Sequence, residues 1–154
     1  MNKQFSQLNV NSFNNNQLNN QVINYPDGSR YVGQIINGLK EGKGIFYWND
    51  GDRYEGDFRN DKFEGKGIYY YNNGNRYEGE WKNGKQNGKG IFYWNVKEWK
   101  GDRYEGGWKD DKREGDGVYY FANGDKEMGR YSNGYAKGTF AKLSANGKVT
   151  SLNY

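Results

Sequence analysis

The stretch Tyr77-Glu-Gly-Glu-Trp-Lys-Asn-Gly-Lys-Gln-Asn-Gly-Lys-Gly90 decides the fold. At its centre Asn83-Gly84 separates two segments in which side-chain types alternate. Asn-Gly between such segments is the strongest short-range signal for a β-hairpin. The stretch is also one copy among several. Counting back 23 residues from Tyr77-Glu-Gly79 reaches Tyr54-Glu-Gly56, and another 23 reaches Tyr31-Val-Gly33. Counting forward, a step of 27 reaches Tyr104-Glu-Gly106 and a step of 23 reaches Glu127-Met-Gly129. A fixed period of this size marks a repeat architecture, in which each unit is one supersecondary element.

The units are 31–53, 54–76, 77–103, 104–126 and 127–149. Their columns align. Position three is Gly33, Gly56, Gly79, Gly106 and Gly129, and position five is Ile35, Phe58, Trp81, Trp108 and Tyr131. A turn follows, then a Gly-x-Gly pair (Gly42/Gly44, Gly65/Gly67, Gly88/Gly90, Gly115/Gly117), then four alternating residues. A second glycine turn closes each unit at Gly51, Gly74, Gly101, Gly124 and Gly147. The longer unit carries a four-residue turn insertion within Val96-Lys-Glu-Trp-Lys100. Each unit therefore predicts two short strands and two tight turns, with sequential strands pairing as a meander. A lone hairpin is marginal in water, so stacked hairpins must stabilise one another. The fold class expected is all-β: a single-layer, curved antiparallel sheet of tandem hairpins. At ~4.8 Å per strand, five units run ~45–50 Å.

Composition agrees. Only 33% of the 154 residues are hydrophobic, but 18% are aromatic, and there are 24 glycines and one proline. Disordered chains are poor in aromatics; rings that recur beside glycines point to a periodic β structure. Cysteine and histidine are absent, which removes disulfides, Cys/His zinc sites and the commonest general base. No apolar run is long enough to span a bilayer. The reading is a cytoplasmic protein with no catalytic residues, cofactor, metal or small-molecule substrate. The net charge of +4 is spread along the chain, a weak pointer to any polyanion.

Period-two alternation sorts the side chains. One face takes Tyr54, Gly56 and Phe58 with Gly65, Gly67, Tyr69 and Tyr71. Rings beside hydrogen-only positions explain why glycine recurs in a strand. The glycines predict a sheet that curls toward this face. Tyr54, Phe58, Tyr69, Tyr71, Tyr77, Trp81, Phe92 and Trp94 form its longest undisturbed run and are the expected floor of a groove for a partner segment. The other face carries Ile45, Ile68, Ile91 and Val118 with Tyr47, Tyr70, Tyr93 and Tyr120, a second candidate surface because apolar patches this large mark interactions. Trp99 lies outside every column and is expected in an exposed turn, available for binding.

At the ends the pattern decays. Tyr25-Pro-Asp-Gly28 matches the end of a unit, so the array is expected over 22–150, with a partial unit at 22–30 and an Asn/Gln-rich tail at 1–21. Glu127 and Phe140 replace a column tyrosine and a column glycine in the last unit, as terminal caps do.

These columns resemble the MORN-repeat family (membrane occupation and recognition nexus), strongly over 31–126 and weakly over 22–30 and 127–149. The resemblance implies a scaffold whose curved sheet holds a partner's helix or extended segment. It also implies a setting in cytoskeletal or ciliary structures such as the axoneme, to which an Asn-rich composition that suggests an A+T-rich genome, as in many single-celled eukaryotes, adds weight. Lipid binding is the older proposal for the family. Two departures stand out. The residue before each Gly-x-Gly pair, commonly basic in the family, is Glu41, Glu64, Asn87 and Glu114 here, and the insertion at 96–100 interrupts the surface.

Rival chemistries fit less well. Phosphate loops lead into a helix, whereas these Gly-x-Gly pairs lead into strands. Asp50 and Asp52 resemble a carboxylate pair but sit in a turn. Glu55, Glu78 and Glu105 read as solvated charge. Aromatics among Lys and Arg can stack single-stranded nucleic acid, but acids nearly balance bases, so no nucleic-acid partner is expected. Lys43, Lys66 and Lys89 with Arg53, Arg76 and Arg103 make binding to anionic phospholipid the alternative to a protein partner.

Overall fold

A computed structural model describes residues 20–154. Twelve strands follow one another in sequence and in space: β1 (Gln21–Asn24), β2 (Arg30–Ile36), β3 (Leu39–Tyr47), β4 (Arg53–Arg59), β5 (Lys62–Tyr70), β6 (Arg76–Lys82), β7 (Lys85–Tyr93), β8 (Arg103–Lys109), β9 (Lys112–Tyr120), β10 (Lys126–Ser132), β11 (Tyr135–Leu143) and β12 (Val149–Asn153). They form one antiparallel sheet in the order β1 to β12. The all-β meander is as the repeat predicts. One detail differs: the insertion contains a single 3-10 turn, Lys97–Trp99. It grows outward from a turn that still closes as its neighbours do. Trp94 N donates to Asp102 O, as Trp48 N donates to Asp52 O.

The tail lies outside the described residues up to residue 19. Gln21 and the 22–30 segment supply β1, with Val22 opposite Val32 and Ile23 opposite Tyr31. At the other end the sheet runs past residue 150 through β12, which pairs Leu152 with Phe140.

Local chemistry sets the turns. At Asn37-Gly38, Asn60-Asp61, Asn83-Gly84, Asp110-Asp111 and Asn133-Gly134 both residues have positive φ, between 47° and 92°. Two such residues make the turn whose twist matches that of the flanking strands. Asn and Asp are the residues other than glycine that tolerate it.

The core lies on one face. Tyr31, Tyr54, Tyr77 and Tyr104 are completely buried. Each ring lies along the backbone of a glycine pair: a Cβ on Gly44, Gly67, Gly90 or Gly117 would collide with the tyrosine of the same hairpin. Each hydroxyl donates to the carbonyl three residues on, at 3.0–3.2 Å, so burial leaves no polar group unpaired. Phe58, Trp81 and Trp108 then stand edge-on between the tyrosine of their own unit and that of the preceding one, with centroids 5.1–5.4 Å apart. Edge-to-face pairs contribute ~0.5–1.5 kcal/mol each beyond area burial. The indoles of Trp81 and Trp108 also donate to Gly67 O and Gly90 O of the preceding hairpin.

The last unit preserves this packing by exchanging roles across the strand pair. Glu127 stands where a column tyrosine would, and Phe140 stands where a glycine would. Phe140 is fully buried, lies against Gly129 and meets Tyr131 edge-on at 5.3 Å. The ring over the glycine row thus arrives from the opposite strand.

Candidate functional site

Cross-strand register turns the sequence columns into rows that run across the sheet. The central row is glycine throughout: Gly33, Gly44, Gly56, Gly67, Gly79, Gly90, Gly106, Gly117 and Gly129 are successive partners on nine strands. Tyrosine rings cover this row on one face. On the opposite face it is bare backbone between two rows of side chains.

One flanking row alternates apolar and acidic residues: Ile45, Glu55, Ile68, Glu78, Ile91, Glu105, Val118. Beyond it runs a row alternating arginine and tyrosine. Arg53 lies 4.1 Å from the Tyr70 ring centroid, Arg76 4.4 Å from Tyr93 and Arg103 3.7 Å from Tyr120; Arg30 lies 5.0 Å from Tyr47. Arg76 also pairs with Glu78 at 2.8 Å. On the other side of the glycines Lys43, Asp57, Lys66, Glu80 and Lys89 alternate in charge, and Lys43 meets Asp57 at 2.7 Å. Two depressions of about 610 and 980 Å³ lie on this face and share Glu78 and Lys89, so they form one groove from Val32 to Thr139.

The expectation put the groove on the ring-bearing face; these two depressions lie on the other. The rings fill the volume that the glycines vacate, so the open volume is left on the other side of the same backbone. Burial also narrows the candidate residues. Tyr54 and Tyr77 expose nothing, Phe58 3% and Trp81 6%; they hold the hairpins together and have no surface to offer. Tyr69, Tyr71, Phe92 and Trp94 lie farther along their strands and keep partly exposed rings. Trp99 is 52% exposed and outside the core, as its position outside the columns predicts. Ile45, Ile68, Ile91, Val118, Tyr47, Tyr70, Tyr93 and Tyr120 share the grooved face and are half-buried.

Sequence reasoning missed the column Lys40, Phe63, Gln86, Arg113 and Ala136, which pairs with Ile35, Phe58, Trp81, Trp108 and Tyr131. Three of these side chains cover buried tyrosines. Phe63 stacks on Tyr54 at 3.8 Å, Lys40 lies over Tyr31 and Arg113 over Tyr104. The five residues share no chemistry, so no recurrence betrayed them; only their parity after the turn was available.

The acidic residues have structural work. Asp52 accepts from the Tyr69 hydroxyl at 2.5 Å and from Asn72 N at 2.8 Å; Asp102 does the same for Tyr119 and Ala122 N. Glu41, Glu64 and Glu114, which depart from the family pattern, each accept the backbone N–H of the next hairpin turn, at Asn60, Asn83 and Asn133. Burial pushes the Tyr71 phenol up to about 12 and Tyr54, Tyr77 and Tyr104 higher still, so all remain neutral donors. Among the described residues no cluster of His, Cys, Asp or Glu is arranged to hold a metal ion, and no helix is long and apolar enough to cross a membrane.

Comparison with known proteins gives the family. A family model described as MORN repeat matches residues 31–53, 54–76, 77–96 and 104–126. Among solved structures the chain is similar to the E1021V mutant of the TCP10 domain of Danio rerio CPAP, at 17% identity and a TM-score of 0.33, over 88% of this chain and 72% of that one. No curated protein matches it.

Proposed function

The chain belongs to the MORN-repeat family, and we propose that it is a non-catalytic scaffold that holds a segment of a partner protein along its array within a ciliary or cytoskeletal assembly. The observation that carries the reading is the groove over the glycine row. Ile45, Ile68, Ile91 and Val118 recur along it, and none of the chain's own described side chains fills it. A partner's helix or extended strand laid there covers apolar surface without disturbing the core, because the core is on the other face. Recognition by helix in groove or by strand follows from secondary-structure physics alone. The setting rests on the family resemblance.

Anionic phospholipid is the weaker reading. Its lysines alternate with Asp57 and Glu80, and the arginines are engaged with tyrosines and with Glu55 and Glu78. The groove is thus charge-patterned rather than basic, and a flat anionic surface is attracted to net charge.

The test pairs two substitutions on each face. Ile68→Lys and Ile91→Lys should abolish capture of the physiological partner while circular dichroism and melting stay unchanged; Tyr71→Phe and Trp94→Phe should leave that capture intact. The reverse result moves the interface to the ring face. Sedimentation with phosphatidylserine vesicles that survives moderate salt, without capture of any protein, replaces the reading with the lipid one.

A further inference from the structure

The ring face has a margin whose rings pack against the core yet stay partly exposed. Beside the buried tyrosines runs an unbroken ribbon of partly exposed aromatic rings. It passes from Tyr25 through Phe46, Trp48, Tyr69, Tyr71, Phe92, Trp94 and Tyr119 to Phe121, each centroid 4.5–5.7 Å from the next. Two rings come from each hairpin, so the pattern repeats every two strands. Trp81 and Trp108 spend their indole N–H groups on backbone carbonyls. Among the described residues no acceptor takes the N–H of Trp48 or Trp94, although both rings are partly exposed.

From this ribbon we infer a second docking track, one that fits a proline-rich segment in the polyproline II conformation running along the array. The argument is one of pitch. Two strand spacings are about 9.6 Å. A polyproline II helix advances about 9.3 Å in three residues and returns each third side chain to the same side. Every third residue of such a segment therefore meets the next ring pair, and over four hairpins the two periods part by only about 1 Å. An extended strand also advances about 10 Å in three residues, but its side chains alternate, so successive thirds face opposite ways. An α-helix needs about 6.4 residues for the same distance and drifts around its axis. Trp48 and Trp94 lie two hairpins apart, about 19 Å, which matches six residues of polyproline II. Their free indole N–H groups can donate to carbonyls that this conformation, having no internal hydrogen bonds, leaves open.

Charge selects among such segments. The turns bordering the ribbon carry Asp27, Asp50, Asp52, Asp102 and Asp125. The arginines that follow these turns, Arg30, Arg53, Arg76 and Arg103, are engaged on the opposite face over Tyr47, Tyr70, Tyr93 and Tyr120. Asp102 is buried and Asp125 pairs with Lys142. In the inserted turn Lys97 and Lys100 balance Glu98 and Asp102. The acidic excess therefore lies at Asp27, Asp50 and Asp52 beside Trp48, and the segment that suits it carries arginine or lysine at that end of its prolines. Trp99 stands on the same border, in the inserted turn next to Trp94, and is 52% exposed. This track is independent of the groove.

The probe is a labelled 15-residue peptide of Pro-Pro-Leu triplets preceded by two arginines, titrated against the full chain by anisotropy and tryptophan emission. Saturable binding is expected, weakened by salt because the border beside Trp48 is acidic. A peptide of the same composition with irregular leucine spacing should bind at least about tenfold more weakly, a difference of 1.4 kcal/mol. Trp99→Ala, outside the core, and Trp94→Phe, which keeps a ring but loses the indole N–H, should each weaken binding at unchanged melting temperature. Ile68→Lys in the groove should not. Absence of saturable binding, equal binding of the irregular peptide, or wild-type affinity in both tryptophan variants would overturn the inference. Loss of binding in Ile68→Lys would assign the peptide to the groove instead.

Discussion

Tyr54 and Tyr70 belong to paired strands of the same hairpin, yet they live in different physical worlds. Tyr54 lies over Gly56 and Gly67, exposes nothing and is bracketed edge-on by Phe58 and Trp81. Tyr70 lies on the opposite face with Arg53 stacked on it, and its surface is shared with solvent. The ring face is the core of a protein that has only one layer. The grooved face is the surface that such a core leaves over. The fully buried rings that hold consecutive hairpins together cannot also be offered to a partner, so the grooved face and the partly exposed ring margin are what remain for that task.

The comparison makes the ring face the place where single changes are costly. Trp81→Ala should destabilise the chain by about 3–5 kcal/mol, since it removes three edge-to-face pairs and leaves Gly67 O without its donor. Chemical denaturation of the variant measures this. Gly67→Ala comes next. Its methyl would occupy the space of the Tyr54 hydroxyl, and overpacking typically costs 1–3 kcal/mol; the same change at exposed Gly138 leaves the added methyl in open space, though its positive φ still strains the backbone. If both cost the same, the ring-on-glycine account is wrong.

Within the last unit the role exchange can be tested as a cycle. Phe140→Gly alone should lose about 3–5 kcal/mol by emptying the site. Adding Glu127→Tyr should restore most of it by returning the ring to the usual strand. A double variant no more stable than Phe140→Gly alone would show that the two positions do not exchange.

Alkaline pH tests the burial of the ring-face tyrosines. Burial raises the phenols of Tyr54, Tyr77 and Tyr104 above their ordinary value of 10.0 in the folded chain. Above pH 10 the unfolded chain loses protons that the folded chain keeps, so folding stability falls as pH rises. Below pH 10 the neutral form prevails in both states and this contribution is complete. Urea midpoints should be level through neutral pH and decline above 10.

The smallest effect expected is on the grooved face. Arg53→Ala should cost about 0.5–1 kcal/mol, the worth of a cation–π contact near the surface, because solvent replaces most of what is lost. A loss as large as that of Trp81→Ala would make the grooved face a second core.

Much of this architecture was legible before any coordinates, because it is local. Asn-Gly and Asn-Asp pairs bend the chain into hairpins wherever they occur, and the 23-residue period of Tyr, Gly and an aromatic repeats the same hairpin. Alternation then sorted Tyr54, Gly56, Phe58, Tyr69 and Tyr71 onto one face and Ile68 and Tyr70 onto the other, as the register has them. Which face is packed and which is grooved was a tertiary matter. It depends on how rings of one hairpin lodge against glycines and rings of its neighbours, and volume is filled between strands, not along them. The same holds for Phe63 on Tyr54, for Phe140 in place of a missing tyrosine and for each arginine over a tyrosine one strand away. Those partners are 9 to 17 residues apart in sequence or sit in columns of mixed chemistry, and cross-strand register alone brings them into contact.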